Sequence, residues 1–251
     1  MLSVALFCVS FTLLKHRPVL YIIGDSTVKN SDGSGRNGQW GWGSVMDVYF
    51  DTTKINIQNH AIGGRSSRTF LTEGRWNKIL QTLHKGDYVL MQFGHNDSGP
   101  LDDTARARGT IKGIGNDSLE IYNPIRKMKE TVHSYGWYLR RYVNEAKEQG
   151  AIPVICSPIP RGNRKNGKVT RSEYATWAKQ VAEETGSFFI DLQERVAVEY
   201  EQLDTTKVNS FFPADKTHTN KEGAIINAEQ VVAGLKDLKK CKLKKFLVNK
   251  S

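Results

Sequence analysis

The sequence predicts an α/β protein, a three-layer α/β/α sandwich built on one parallel sheet, and three observations predict it. Short apolar runs rich in β-branched and aromatic residues alternate with helix-length amphipathic stretches. The runs are almost continuously apolar, as in strands buried on both faces. Their polar residues gather where the runs end, so one edge of the sheet collects them. With 251 residues, 39% of them hydrophobic and 10% aromatic, the chain can bury a real core and is not a disordered polymer. No repeat or low-complexity linker divides it, so residues 18–240 are expected to form a single domain.

The chain opens with MLSVALFCVSFTLL, fourteen uncharged residues followed by Lys15, His16 and Arg17. A bilayer-spanning helix needs about 20 residues, so no stable span is expected here. The stretch has the length of a secretory h-region, without a basic leader or a small-residue cleavage site. Residues 1–17 therefore read as a signal or anchor-like segment, incomplete as a signal, and the protein as secreted or periplasmic, with membrane anchoring as the alternative. Three cysteines, Cys8, Cys156 and Cys241, imply no disulfide framework.

Strands are expected at 19–24 (VLYIIG), 55–61 (INIQNHA), 87–94 (DYVLMQFG), 151–158 (AIPVICSP) and 187–192 (SFFIDL). Helices are expected at about 40–50, 66–84, 125–149, 171–186, 192–203 and 220–240. Residues 97–124 form the one long irregular stretch, which leaves the third strand over the ligand-binding edge as a lid or substrate wall. The segment from Lys236 to Ser251 carries seven Lys and one Asp, and so supplies +6 of the formal net charge of +10. Residues 241–251 read as a basic, solvated tail, and nucleic acid is not an expected partner.

The first strand ends at Gly24-Asp25-Ser26, the second at Asn59-His60-Ala61-Ile62-Gly63-Gly64-Arg65-Ser66, and the third at Gly94-His95-Asn96-Asp97. A fourth cluster places Asp215 three residues before His218. Thr219-x-x-Glu222 reads as a capping box that starts a helix just beyond the imidazole. These are the parts of a serine hydrolase. Ser26 would attack, His218 would move its proton, and Asp215 would fix the ring tautomer. The N–H groups of Ser26 and Gly64 and the amide of Asn96 would hold the oxyanion. Gly-x-Ser-x-Gly, the nucleophile elbow of ordinary α/β-hydrolases, is absent. Arg65 and His95 are candidate substrate contacts. Arg68, the tryptophans Trp40, Trp42 and Trp76, and the basic stretch 161–171 are weaker candidates for binding sugar, with core packing or solvated charge as the competing readings.

Gly24-Asp25-Ser26, Gly64, Gly94-x-Asn96-Asp97 and Asp215-x-x-His218 resemble, in order and spacing, the four sequence blocks of the SGNH (GDSL) hydrolases. GDSTVKN, NGQWGWG, AIGGRSSRTF, FGHND and PADKTHTN make the chain similar to the rhamnogalacturonan acetylesterases, carbohydrate esterase family 12, over residues 19–235. That resemblance implies a flavodoxin-like sheet of order 2-1-3-4-5 and an esterase, without metal or other cofactor, that removes O-acetyl groups in pectin degradation. It also implies Ser26, Asp215 and His218 as catalytic triad, and Ser26, Gly64 and Asn96 as oxyanion hole. The expected partner is an acetylated polysaccharide, the expected state a monomer. Competing readings are an SGNH esterase or lipase acting on acetylxylan or another acyl ester, a metallophosphoesterase using Asp25, His95, Asn96 and Asp97, and a non-enzymatic sugar-binding module.

Overall fold

The computed structural model describes residues 16–248, so the expected signal segment lies almost wholly outside the described residues. Nine strands are present there. They are β1 (Val19–Gly24), β2 (Asn56–Asn59), β3 (Tyr88–Gln92), β4 (Ser118–Asn123), β5 (Met128–His133), β6 (Ile152–Cys156), β7 (Arg164–Lys165), β8 (Lys168–Val169) and β9 (Phe188–Ile190). Five of them form the central parallel sheet in the order β2-β1-β3-β6-β9, which is the expected 2-1-3-4-5 counted along the sheet's own strands. β4–β5 and β7–β8 are separate antiparallel hairpins.

Successive side chains of a strand point to opposite faces, and both faces of β1 are apolar. Leu20 and Ile22 join one core layer with Val196, Tyr200, Val231 and Leu235. Tyr21 and Ile23 join the other with Phe70, Trp76, Tyr138 and Val181. The helices that supply these layers are α1 (Ser67–Thr72), α2 (Arg75–Leu80), α3 (Tyr135–Glu148), α4 (Glu173–Thr185), α5 (Leu192–Gln202), α6 (Thr205–Ser210) and α7 (Lys221–Asp237).

The differences from the sequence reading are local. The helix expected over 40–50 is two 3-10 turns, Trp42–Val45 and Asp47–Tyr49, in a glycine-rich stretch with low helix propensity. Trp42 and Gly43 give their N–H groups to Thr27 and Val28, which ties this stretch to the turn after β1. The helix expected over 66–84 breaks at Gly74, whose φ of 71° is left-handed. Residues 125–149 are not one helix: β5 precedes α3, and the side chain of Ser134 caps α3 by accepting from the Trp137 N–H. The long loop 97–124 likewise contains β4. Its remaining part is tied down by bonds from Gly109 N to Pro100 O (2.8 Å) and from Thr110 N to Asp97 O (2.9 Å), which makes it a fixed wall.

The solvated-tail reading of residues 241–251 is also corrected as far as Val248. Cys241 and Leu243 are buried, and Val248 N bonds to Tyr49 O at 2.9 Å. Apolar residues interleaved among the lysines seat this segment on the domain. No helix among the described residues is long and apolar enough to cross a membrane.

Candidate active site

The turn after β1 carries Ser26. Gly24 is needed there because a Cβ would lie 2.6 Å from both Gln92 O and Val28 Cγ2. The Asp25 carbonyl accepts from the N–H groups of Val28 (3.1 Å) and Lys29 (3.0 Å), so the turn curls back under Ser26. From the loop before α7, His218 brings Nε2 to 2.8 Å from Ser26 Oγ. Its Nδ1 lies 2.7 Å from Asp215 Oδ2, while Asp215 Oδ1 accepts from the N–H groups of Thr217 (2.6 Å) and His218 (2.8 Å).

Burial pushes the Asp215 carboxyl upward, but the bonds from His218 and Thr217 outweigh it and hold the group below its ordinary value. An ionised carboxylate can only accept, so Nδ1 carries the ring proton and Nε2 presents its lone pair to the Ser26 hydroxyl. Such an arrangement can draw the proton off Ser26 as the oxygen attacks.

The capping box expected at Thr219 is not formed. Asn220 is the N-cap of α7, accepting from Gly223 N, and the Thr219 hydroxyl instead donates to Trp40 O at 3.2 Å. Thr219 is held in an antiparallel bridge with Trp40, which leaves capping to the next residue.

Gly64 has a φ of 78°, a conformation that favours glycine. Neither its N–H nor that of Ser26 has a hydrogen-bond partner among the described residues. Asn96 is buried, and its Nδ2 donates to Arg65 O at 2.9 Å, which fixes the amide and leaves a second N–H free. Ser26, Gly64, Arg65, His95, Asn96 and His218 line one cleft of about 600 Å³. Arg106, Arg108 and Arg161 line it too. Arg161 stands at the head of the basic stretch 161–171, whereas Arg106 and Arg108 come from the loop expected to form a wall and escaped individual notice.

Several weaker candidates fall elsewhere. Arg68 is fully buried and paired with Glu130, not in the cleft. Trp42 and Trp76 are core residues, and Trp40 packs beneath the Lys221 ammonium. Arg171 and Lys168 are neutralised by Glu194 and Glu201 of α5. His95 lines the cleft wall, but both ring nitrogens turn toward the protein, to Ile159 O at 3.0 Å and Asp25 Oδ2 at 3.3 Å. The one His/Asp cluster among the described residues able to hold a metal is His16, His84 and Asp87, just before β1 and β3 and so at the sheet edge opposite Ser26.

Asp97 is wholly buried and accepts from both the N–H and the hydroxyl of Ser67. Burial pushes its carboxyl up to about 7 despite those bonds. Between an unfolded value near 4 and that folded value, the folded protein keeps a proton that the unfolded chain has lost, so stability falls as pH rises through this window. Asp97→Asn keeps an acceptor for Ser67 without the ionisation. Urea unfolding at about pH 5 and about pH 8 should therefore show the variant gaining on the wild type at the higher pH. A difference that does not change with pH would refute this assignment.

A doubly covered parallel sheet that gathers these four sequence blocks at its carboxyl edge defines a carboxylic ester hydrolase of the SGNH type. The sequence profile of the GDSL-like lipase/acylhydrolase family matches residues 22–224, and the chain belongs to that family. It is 34% identical over 232 residues to the rhamnogalacturonan acetylesterase of Emericella nidulans, covering 91% of this chain and 89% of that protein. It is 31% identical over 226 residues to the Bacillus subtilis protein named "Probable rhamnogalacturonan acetylesterase YesY", covering 87% and 93%. The crystal structure of the Bacillus subtilis protein YxiM shares the fold, with a TM-score of 0.70 and 24% identity. That match covers 88% of this chain but only 56% of YxiM.

Proposed function

We propose that the protein removes O-acetyl groups from pectic rhamnogalacturonan through an acetyl-Ser26 intermediate, as a single catalytic domain acting outside the cytoplasm. The continuous chain from Asp215 through His218 to Ser26 carries this reading. The Ser26 oxygen attacks the acetyl carbonyl as His218 takes its proton, and the N–H groups of Ser26, Gly64 and Asn96 receive the oxyanion. His218 returns the proton to the departing sugar hydroxyl. Water, activated by the same imidazole, then releases acetate.

The choice of substrate rests on the cleft and on the relatives. Arg65, Arg106, Arg108 and Arg161 line it against one carboxylate, Glu73, so it suits a polymer of uronic acids. Glycines and polar side chains around Ser26 leave room for a small acyl group rather than an acyl chain. The Emericella nidulans relative is named a rhamnogalacturonan acetylesterase and YesY a probable one.

The test is acetate release from acetylated rhamnogalacturonan and from acetylxylan, alongside hydrolysis of a long-chain aryl ester. Rhamnogalacturonan should give the highest kcat/KM. Equal or better turnover of acetylxylan would overturn the substrate assignment, and preference for the long chain would make the protein a lipase. Within the same assay, Asn96→Ala should lower kcat by about 10²- to 10³-fold, the loss expected for one oxyanion donor. A larger effect on KM than on kcat would instead make Asn96 a ground-state contact.

A further inference from the structure

Beneath the cleft runs a ring of buried hydrogen bonds whose proton inventory can be worked out from its members. The Trp42 indole N–H can only donate, and it lies 2.9 Å from Gln92 Oε1, which fixes the orientation of that amide. Gln92 Nε2 therefore donates to Thr27 Oγ1 (2.6 Å), and the Thr27 hydroxyl passes its own proton to Asp25 Oδ1 (2.7 Å). The Thr27 N–H reaches the same oxygen at 2.8 Å.

The other half of the ring runs through Ile159. Its N–H points to Gln92 Oε1 at 3.4 Å, and its carbonyl lies 3.0 Å from His95 Nε2. A carbonyl only accepts, so Nε2 carries a proton. One contact remains, an ion-pair distance of 3.3 Å between His95 Nδ1 and Asp25 Oδ2, and neither atom has a hydrogen-bond partner among the described residues. With Nδ1 bare, a lone pair would face a carboxylate in a site closed to water, which is unfavourable. With Nδ1 protonated, the ring closes.

We propose that Asp25 and His95 form a buried carboxylate–imidazolium pair that closes this ring and fixes the spacing of the Ser26 turn and the Asn96 loop, making both of them positioning residues for ester cleavage. The inference rests on the roles proposed above for Ser26 and Asn96. Asp25 is the chain neighbour of Ser26, and His95 is that of Asn96. The strands they leave, β1 and β3, are adjacent, with Gly24 opposite Gln92.

Burial alone would raise the Asp25 carboxyl, but attraction to His95 and the bonds from Thr27 outweigh it and leave the group below its ordinary value. Asp97, Arg108 and Tyr135 also interact electrostatically with Asp25, and Arg161 Nη2 lies 3.5 Å from the His95 carbonyl.

Asp25→Asn separates positioning from simple structural support. Its side-chain N–H can donate to a bare Nδ1, so the ring closes with a neutral imidazole. Nitrogen-15 NMR of the full chain near neutral pH, with the His95 signals identified by their loss in His95→Gln, should show protons on both ring nitrogens of the wild type and on one in Asp25→Asn. Kinetics on a small acetyl ester should show kcat lowered by about 10- to 100-fold in Asp25→Ala and His95→Ala with KM little changed, because displacement by about 1 Å costs on that order. Asp25→Asn should recover most of this loss.

A single ring proton on wild-type His95 would overturn the proposal whatever the variants do, and so would Asp25→Ala that melts like the wild type with unchanged kcat. If no acetyl ester is turned over at all, the proposed function fails, while the NMR result still decides the protonation of the pair.

Discussion

Ser26→Ala is expected to lower kcat on acetylated rhamnogalacturonan by at least about 10⁴-fold while the protein melts at nearly its wild-type temperature. The hydroxyl's hydrogen bond runs to His218, at a half-buried surface, so its removal opens no core cavity. What disappears is the covalent route. The N–H groups of residue 26, Gly64 and Asn96, the proposed oxyanion donors, remain, and with substrate binding they should supply the residual rate. His218→Ala should fall to a similar level, and the double variant should be scarcely worse than either single one, because members of a catalytic chain act as a unit. Asp215→Asn should cost less than Ser26→Ala. The Asp215 side chain is 44% exposed, and its Oδ1 bonds to backbone N–H groups survive the change, so the loop that presents His218 keeps its shape. Acetate release under single-turnover conditions, with trapping of acetylated Ser26 in the wild type, checks each of these expectations. Retention of several per cent of wild-type activity by Ser26→Ala would remove Ser26 from the reaction.

These residues were legible in the sequence because each sits in a short block beside a strand or helix end, and local spacing places it. The five sheet strands were legible for a related reason, since a strand buried on both faces is a continuous apolar run whatever surrounds it. The hairpin β4–β5 was not. Its outward-facing residues, among them Glu120, Tyr122, Lys129 and Thr131, are exposed, and on the other face Asn123 and Glu130 are buried but polar while Leu119 and Met128 are apolar but exposed, so Ile121 and Val132 alone are both apolar and buried. Its period-2 signal is therefore thin and was absorbed into a loop and a helix. Arg106 and Arg108 belong to a segment whose path is set by tertiary bonds rather than by local propensity. The ring through Asp25 and His95 was equally hidden. Its members come from three strand ends, and the proton they share follows only from the direction of every bond.

Arg68 best shows how a long-range contact defeats local reading, and its removal is the largest stability change expected. The guanidinium is fully buried. It pairs through Nε with Glu130 Oε1 at 2.8 Å and donates through Nη1 to Leu101 O (2.8 Å) and Gly109 O (2.9 Å). Glu130 in turn accepts from Asn123 Nδ2 at 2.6 Å. One side chain thus joins α1, the wall loop and the hairpin. Arg68→Ala leaves two carbonyls without their donor and the Glu130 carboxylate with only Asn123 and a 3.6 Å contact to Arg126, and breaking such a buried pair from one side costs about 3–5 kcal/mol. Removing Glu130 as well should cost less than the sum of the two single losses, since neither charge is then left unpaired. Burial raises the Glu130 carboxyl, but the bonds from Arg68 and Asn123 outweigh that and hold it below its ordinary value. A depressed carboxylate contributes stability above its unfolded value and loses it as pH falls through the folded one. The gap between wild type and Arg68→Ala should therefore narrow on acidification. Because the same loop carries Arg106 and Arg108 into the cleft, the variant should raise KM for the polymeric substrate more than it lowers kcat on a small acetyl ester. Urea unfolding of the two single variants and the double variant measures the coupling, and strictly additive losses would show that Arg68 and Glu130 do not act as a pair.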